Sequence, residues 1–276
     1  MKLIRIKYLF IFLLPVFTIS CSKIDSNVPN LNQIIKVDEK ISSHSSFNGH
    51  FFSADSPVLR YNKVYFRNTD KSTGQPVNQA SLNLLPLMDM GTFKHACPIE
   101  NPVGNTDADG YFAGAVLFSM AGSNSSWSLS DRIDANGKID TVLFPLQKVV
   151  ATNPVKKIVV IDSLSNGQGG WIITKHPVSL VEQKSWQVGQ NTLEVAVHTM
   201  ESQMSFPCCN EMTIEITPEM PSMGHGSPNN VNPVLTSNGH YAGKVNFTMT
   251  GAWRINMVFK KGGRVIGRNA YFDITF

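Results

Sequence analysis

Polar and hydrophobic residues alternate along most of the chain, in short stretches separated by turn-forming residues. The clearest alternating stretches are 62–66, 81–85, 111–120, 190–197 and 211–217. A period of two is typical of β-strands with one buried face, and no stretch beyond the N-terminus shows the period of a helix. The pattern therefore predicts an all-β protein built from antiparallel strands.

One long segment occurs twice and divides the chain into two similar halves. Residues 109–122 read Asp-Gly-Tyr-Phe-Ala-Gly-Ala-Val-Leu-Phe-Ser-Met-Ala-Gly, and residues 238–251 read Asn-Gly-His-Tyr-Ala-Gly-Lys-Val-Asn-Phe-Thr-Met-Thr-Gly. A tryptophan follows each copy, at Trp127 and Trp253. An internal repeat of strands and turns predicts two tandem Ig-like antiparallel β-sandwich domains. The expected bounds are 46–150 and 155–276, after a flexible tether over 21–45.

The N-terminus has the pattern of a secretory signal peptide over residues 1–20. Lys2, Arg5 and Lys7 precede an apolar run that is too short to cross a bilayer. The following Thr-Ile-Ser-Cys21 resembles the lipobox of bacterial lipoproteins, in which the cysteine becomes the acylated N-terminus. We therefore expect lipidation of Cys21, and an envelope protein anchored in the outer membrane that faces the periplasm or the cell surface. An ordinary signal peptide cut nearby and an uncleaved membrane anchor are the alternatives.

The charge of the chain argues against a nucleic-acid partner. The formal net charge of +4 falls to +1 when the three basic residues of the leader are removed. The sequence also has no cluster in which basic and aromatic residues are interleaved. Catalytic motifs are missing as well: the sequence has no nucleophile elbow, His-Glu-x-x-His, phosphate loop or Cys-x-x-Cys. The sequence therefore predicts a binding protein and not an enzyme.

A methionine-rich loop in the second half is the main candidate for metal chemistry. Residues 218–225 read Pro-Glu-Met-Pro-Ser-Met-Gly-His, so Met220, Met223 and His225 lie close together in sequence. Neutral thioether and imidazole ligands suit copper, above all Cu(I), better than hard cations such as Ca²⁺. The prolines restrict the loop and reduce the entropy lost when the three side chains converge. The loop therefore predicts a copper site.

Further candidate ligands lie next to this loop and in its counterpart in the first half. His240 opens the following strand and is expected to approach the same end of the domain. Met249 follows on that strand. The loop of the first half supplies four more candidates, which are Met88, Met90, His95 and Cys97. The competing interpretation is structural, with methionines that plug the open end of each sandwich.

Four methionine positions, Met249 among them, alternate with core-forming residues. Met120 and Met249 share strand faces with valine and phenylalanine, so packing is the favoured interpretation of both, although Met249 is also a candidate ligand. Met212 and Met257 alternate with isoleucine, and we expect both in the core.

Three cysteines follow Cys21, and an odd number outside the cytoplasm leaves at least one of them without a disulfide partner. Cys208 and Cys209 are adjacent and are not expected to bridge each other, because the ring is strained. A bridge from either of them to Cys97 would join the two halves. Free thiols and metal ligation are the other possibilities.

The second half resembles the YtkA-like/FixH-like domain, a small exported or membrane-attached β-sandwich of bacteria. The resemblance rests on Met-Pro-Ser-Met-Gly-His at 220–225, Gly-His-Tyr-Ala-Gly at 239–243 and Phe-Thr-Met-Thr-Gly-Ala-Trp-Arg-Ile at 247–255. It covers roughly residues 191–276, and the first half looks like a diverged copy. The resemblance implies an Ig-like fold and an association with copper handling or cytochrome oxidase maturation. It implies no defined enzymatic activity.

Two functional hypotheses follow from the sequence. The first is a lipid-anchored envelope protein that binds or passes copper through its Met/His loops. Its partners would be the membrane, through Cys21, and a copper ion or an envelope metalloprotein. The second is a non-catalytic structural or protein-interaction scaffold of the envelope. The Met loop discriminates between them, because convergence of Met220, Met223 and His225 is expected only under the first.

Overall fold

A computed structural model describes residues 34–121, 126–146, 149, 158–167, 170–181 and 185–276. These residues form 19 strands and no helix, which confirms the predicted all-β class. Within them, no helix has the length and apolarity that a membrane span requires. The predicted leader, Cys21 and most of the predicted tether lie outside the described residues.

The first unit, residues 35–146, contains ten strands arranged in two sheets. One sheet has the order β1-β2-β3-β8-β7, with β4 paired to β3, and the other has the order β10-β9-β5-β6. The strands are β1 (Ile35–Ile41), β2 (Phe47–Ser53), β3 (Tyr61–Asp70), β4 (Pro76–Val77), β5 (Ser81–Asp89), β6 (Lys94–His95), β7 (Ile99–Glu100), β8 (Phe112–Leu117), β9 (Ser126–Ala135) and β10 (Lys138–Leu146).

The second unit, residues 158–275, contains nine strands, also in two sheets. One sheet has the order β11-β12-β13-β17-β16, and the other has the order β15-β14-β18-β19. The strands are β11 (Ile158–Gly167), β12 (Gly170–Val181), β13 (Gly189–Val197), β14 (Met212–Met220), β15 (His225–Gly226), β16 (Val231–Ser237), β17 (His240–Phe247), β18 (Ala252–Lys261) and β19 (Arg264–Thr275).

Each unit buries its own hydrophobic core between its two sheets. Alternation along β5 turns Leu82 and Leu84 inward, and alternation along β14 does the same for Ile214 and Ile216. Because the inward residues of both sheets meet in one cluster per unit, each unit is an antiparallel β-sandwich. The predicted core positions Met212 and Met257 are confirmed, at 7% and 1% exposure.

The two units repeat the same local hydrogen bonds. The side chain of Asn62 accepts from Val58 N–H and donates to Val58 O and Arg60 O. Asn191 does the same with Gln187 N–H, Gln187 O and Gly189 O. A second pair is equivalent across the units, because Leu84 N–H donates to Asn101 Oδ1 at 2.8 Å and Ile216 N–H donates to Asn232 Oδ1 at 2.9 Å. The internal repeat in the sequence is therefore a repeat in structure.

The described structure corrects the sequence prediction at two places. The tether predicted to reach residue 45 contains β1, whose charged residues suit the edge position that it takes beside β2. Met120 and Met249, for which core packing was favoured, are 44% and 37% exposed. The reason is that β8 ends at Leu117 and β17 ends at Phe247, so both methionines lie beyond the alternating strand.

The two units also share a small buried contact, the junction. It packs Tyr61, Ala115 and Leu117 of the first unit with Val181 and Ala196 of the second. In addition, Ala96 N–H donates to Gln203 O at 2.8 Å. The junction therefore combines apolar contact with backbone hydrogen bonding.

Candidate metal sites

The methionine loop of the second unit folds into a tight hairpin. β14 ends at Met220 and β15 begins at His225, and these two residues are paired in register. Met223 N–H donates to Met220 O at 3.1 Å, and Gly224 adopts a left-handed φ of 58°, which favours glycine. The prolines and glycine of the sequence thus form the turn, and strand pairing places a methionine opposite a histidine.

The side chains of this hairpin lie in different environments. Met220 is 4% exposed and packs into the core over Gly251, whereas Met223 is 63% exposed. His225 is partly exposed, and its Nε2 lies 2.9 Å from Thr248 Oγ1. Met249, which follows Thr248 in the chain, is hydrogen-bonded to the core tryptophan: its carbonyl oxygen accepts from Trp253 Nε1–H at 2.9 Å. Met220, His225 and Met249 therefore share one end of the sandwich, with Met223 in the turn above it.

His240 does not approach this end, and the expectation that it would do so is wrong. It begins β17, whereas Thr248 and Met249 follow the last residue of that strand. At about 3.3 Å per residue, the eight residues of β17 separate its two ends by about 23 Å. Both ring nitrogens of His240 are also occupied: Nε2 lies 2.7 Å from Glu100 Oε1, and Nδ1 lies 2.7 Å from Glu194 Oε1.

The first unit has the same hairpin. Met88 in β5 pairs with His95 in β6, and Met90 N–H donates to Phe93 O to close the turn, where Gly91 has a φ of 82°. Met88 is 2% exposed and lies in the core, whereas Met90 is 40% exposed. The tryptophan contact is repeated too, because Trp127 Nε1 donates to Met120 O at 3.1 Å.

His95 is the most distinctive side chain of this first hairpin. It is 8% exposed, and its ring lies edge-on to Trp127 with a centroid distance of 5.5 Å. Its Nδ1 lies 3.0 Å from Ala96 O, so Nδ1 carries the proton and donates. The other nitrogen, Nε2, is buried and has no hydrogen-bond partner. In this tautomer Nε2 presents a lone pair, the form in which imidazole binds metals.

His95 lines an open cavity of about 340 Å³ to which both units contribute residues. The first unit also contributes Met90 and Met120, and the second contributes Met200. We refer to the space lined by these four side chains as the junction cavity. Sequence reasoning assigned Met120 to the core and gave Met200 no role, because nothing in the sequence indicates that residues 90, 120 and 200 meet.

The cysteines do not join the two units through Cys97. Cys97 and Cys209 are free and buried. Burial raises the pKa of the Cys97 thiol well above its usual range, so Cys97 is protonated and is a poor ligand in this state. Among the described residues, no group of three or more His, Cys, Asp or Glu side chains could hold a metal.

His240 and the carboxylates that contact it belong to a group of hydrogen-bonded polar side chains, the buried network, which the sequence did not predict. Tyr61 O–H donates to Glu100 Oε2 at 2.7 Å, so the network consists of Tyr61, Glu100, His240 and Glu194. Burial alone would lower the pKa of His240, but hydrogen bonds to Glu100 and Glu194 and their charges raise it to about 9. His240 is therefore a cation at neutral pH and joins Glu100 of the first unit to Glu194 of the second.

His198 lies near this network but is neutral. It is 1% exposed, and neither ring nitrogen has a hydrogen-bond partner. Burial and the charge of His240 lower the pKa of His198 to about 3. Two neighbouring histidines are thus held in opposite protonation states.

Comparison with known families matches the second unit. A YtkA-like family model matches residues 172–258, from β12 to β18, and this confirms the resemblance seen in the sequence. The match contains the hairpin with Met220 and His225 and the strand with Trp253. The first unit lies outside the matched range, so its identity as a diverged YtkA-like copy stays a prediction. A search of curated proteins finds no significant match to the chain.

Proposed function

We propose that the chain is a lipid-anchored cell-envelope protein that binds Cu(I) at the hairpin of the second unit. The observation that carries the proposal is the pairing of Met220 with His225, next to Met249 and below Met223. Soft, neutral donors of two kinds therefore lie at one end of a rigid sandwich. This donor set suits Cu(I) better than a hard cation.

The exposed members of the set make this end accessible to an incoming ion. Met223 and Met249 are 63% and 37% exposed, and His225 is partly exposed. Met220 is buried, so it supports the hairpin and joins the ligand set only after a rotamer change. Binding through His225 Nε2 must also displace the Thr248 hydroxyl from that nitrogen, which costs about 0.5–1.5 kcal/mol. An accessible site of this kind suits reversible loading and transfer of an ion to an envelope metalloprotein.

The copper proposal is tested by competitive Cu(I) titration of residues 22–276. The variant Met223→Leu/His225→Gln/Met249→Leu removes the accessible donors and leaves the buried Met220 in the core. We expect this variant to lose one tightly bound equivalent. Met257→Leu is the matched control, because Met257 is 1% exposed and lies in the core of the same sandwich. An unchanged stoichiometry in the triple variant would refute copper binding at this end.

The proposed anchor is tested separately, in cells. The leader and Cys21 have the pattern of a lipoprotein signal, and we expect a fatty-acid label to be incorporated into the protein. Cys21→Ala should abolish labelling and release the protein from the membrane fraction. Labelling that survives this change would contradict lipidation at Cys21.

A second candidate function, a non-catalytic envelope scaffold, is favoured by the edge strand β16. Val231, Val234 and Leu235 are 50%, 64% and 45% exposed on this strand. An exposed, apolar edge can pair with a strand of another protein. A chain that binds no Cu(I) and loses a membrane partner on Val234→Lys would support this function instead.

A further inference from the structure

We infer that the junction cavity is a second, separate Cu(I) site, with His95 Nε2, Met90, Met120 and Met200 as its ligands. The inference shares its Cu(I) chemistry with the proposed function, but it concerns other residues and depends on both units. Of the four candidates that the sequence gave for the hairpin of the first unit, the set keeps Met90 and His95 and omits Met88 and Cys97, because both of the latter side chains are buried in the core of that unit.

The argument begins with His95. A buried polar atom without a partner is rare, because it loses its hydrogen bond to water and gains nothing in return. His95 Nε2 is such an atom, and His95 is one of the residues that line the cavity. The proton on Nδ1 is fixed by donation to Ala96 O. Metal-binding histidines commonly have this arrangement, in which a backbone carbonyl holds one nitrogen and the other faces the ion.

Three thioethers complete the donor set. Met90 lies in the hairpin turn, Met120 follows β8, and Met200 is hydrogen-bonded through its N–H to Lys175 O at 2.8 Å. All three line the same cavity as His95. Because Met90 and Met120 are 40% and 44% exposed, an ion can reach the cavity from solvent.

The charge around the cavity selects the kind of ion. The lining residues include no carboxylate, and the one charged side chain among them belongs to the exposed Lys175. A divalent cation such as Zn²⁺ or Ca²⁺ would therefore be desolvated without an anionic ligand. Cu(I) has a single charge and accepts neutral sulfur and imidazole ligands. The same lining thus favours Cu(I) over harder ions.

A metal in this cavity would fasten the two units together. Met90, His95 and Met120 belong to the first unit and Met200 belongs to the second, close to the hydrogen bond from Ala96 N–H to Gln203 O. Binding to the assembled protein stabilises it by mass action, whereas separated units retain an incomplete set. Copper loading is therefore coupled to the docking of the two units.

The experiment uses the chain with the second hairpin disabled by Met223→Leu/His225→Gln/Met249→Leu. In this background, competitive Cu(I) titration should still find one equivalent bound. His95→Asn keeps a donor for Ala96 O but removes the Nε2 ligand, and Met200→Leu removes one sulfur at nearly constant volume. We expect each change to weaken Cu(I) binding at least tenfold. Met204→Leu is the matched control, because Met204 is 49% exposed in the same loop and does not line the cavity.

A second measurement examines the ion and the coupling between units. Copper X-ray absorption should show sulfur and nitrogen neighbours, and the nitrogen contribution should disappear in His95→Asn. Added Cu(I) should raise the unfolding midpoint of the background protein but not that of Met200→Leu. The inference is overturned if the background protein binds no copper, or if His95→Asn and Met200→Leu bind as it does. Neither result bears on copper binding at the second hairpin, because its accessible donor side chains are replaced in this background.

Discussion

In the first unit His95 lies against the second unit and is 8% exposed, whereas its counterpart His225 is partly open to solvent. The hairpins themselves are alike. Each pairs a methionine with a histidine, and in each unit a tryptophan Nε1–H donates a hydrogen bond to the carbonyl of a methionine that lies later in the chain than the hairpin. The two Nε2 atoms have different surroundings. The Thr248 hydroxyl lies within hydrogen-bond distance of His225 Nε2, whereas His95 Nε2 has no hydrogen-bond partner. The comparison teaches that one hairpin design holds its histidine in two surroundings: His95 lies beside the other unit, whereas His225 contacts a hydroxyl of its own unit.

The same comparison extends to the centres of the sandwiches. Asp131 lies on β9 opposite Leu84, and Met257 occupies the equivalent place on β18 opposite Ile216. Asp131 is 0% exposed, its oxygens have no hydrogen-bond partner, and burial raises its pKa to about 7, although the Asn68 amide acts in the opposite direction. The first unit therefore carries a buried acid where the second carries an apolar side chain.

The largest expected effect comes from His240, which belongs to the second unit but pairs with the first. His240→Leu leaves Glu100 buried without its cation, and we expect a loss of about 3–5 kcal/mol in unfolding free energy near pH 6. Because the folded pKa is about 9 and the ordinary value is 6.5, the stabilisation is complete below pH 6.5 and is lost as the pH rises to 9. Urea unfolding at pH 6, 7.5 and 9 measures the difference.

Tyr61→Phe is the control for this prediction. It removes the hydrogen bond that the uncharged Tyr61 hydroxyl donates to the Glu100 carboxylate and leaves the His240 cation, so its smaller loss of about 1.5–3 kcal/mol should stay constant from pH 6 to 9. If wild type and His240→Leu differ by the same amount at all three pH values, the assignment of a cationic His240 is wrong.

The next effect should appear at Asp131. Asp131→Asn replaces the titratable carboxyl with an amide, and Asp131→Met introduces the side chain that the second unit has at the equivalent position, Met257. The raised pKa means that stability conferred by Asp131 is present below about pH 4 and is lost as the pH rises to 7. Both variants should therefore gain stability relative to wild type over that interval, by at most about 4 kcal/mol. Thermal unfolding between pH 4 and 8 measures this gain, and a gain that does not grow with pH would contradict it.

The smallest effect concerns Thr248. Thr248→Val removes the hydroxyl from His225 Nε2 and leaves that nitrogen without a side-chain partner, as His95 Nε2 is in the first unit. We expect stability to fall by less than about 1 kcal/mol, because His225 is partly exposed and water replaces the hydroxyl. Cu(I) affinity at this end should rise by up to about tenfold. Titration of His95→Asn/Met200→Leu protein isolates the second hairpin, and an unchanged affinity would show that Thr248 does not compete with copper.

The local structure could be predicted from the sequence, because it depends on neighbours in the chain. Alternation indicated the inward residues of β5 and β14, and the repeat indicated two similar units. The core positions of Met212 and Met257 followed from the same local rule.

The contacts between units could not be predicted in this way. Met200 meets Met90 only because the units dock, and His240 meets Glu100 for the same reason. Met120 and Met249 were assigned to the core because the sequence does not show that their strands end first.

The junction joins two different surfaces, one from each unit, so the two units follow each other in a head-to-tail arrangement. The first unit contributes its hairpin end, and the second contributes the face around Glu194 and His240. A contact of this head-to-tail kind is not self-complementary and does not close into a symmetric pair. The surface of the first unit that corresponds to His240 is built around Tyr111, with Arg67 stacked on its ring. Tyr111 and the hairpin of Met223 therefore lie at the ends of their two units that face away from the junction.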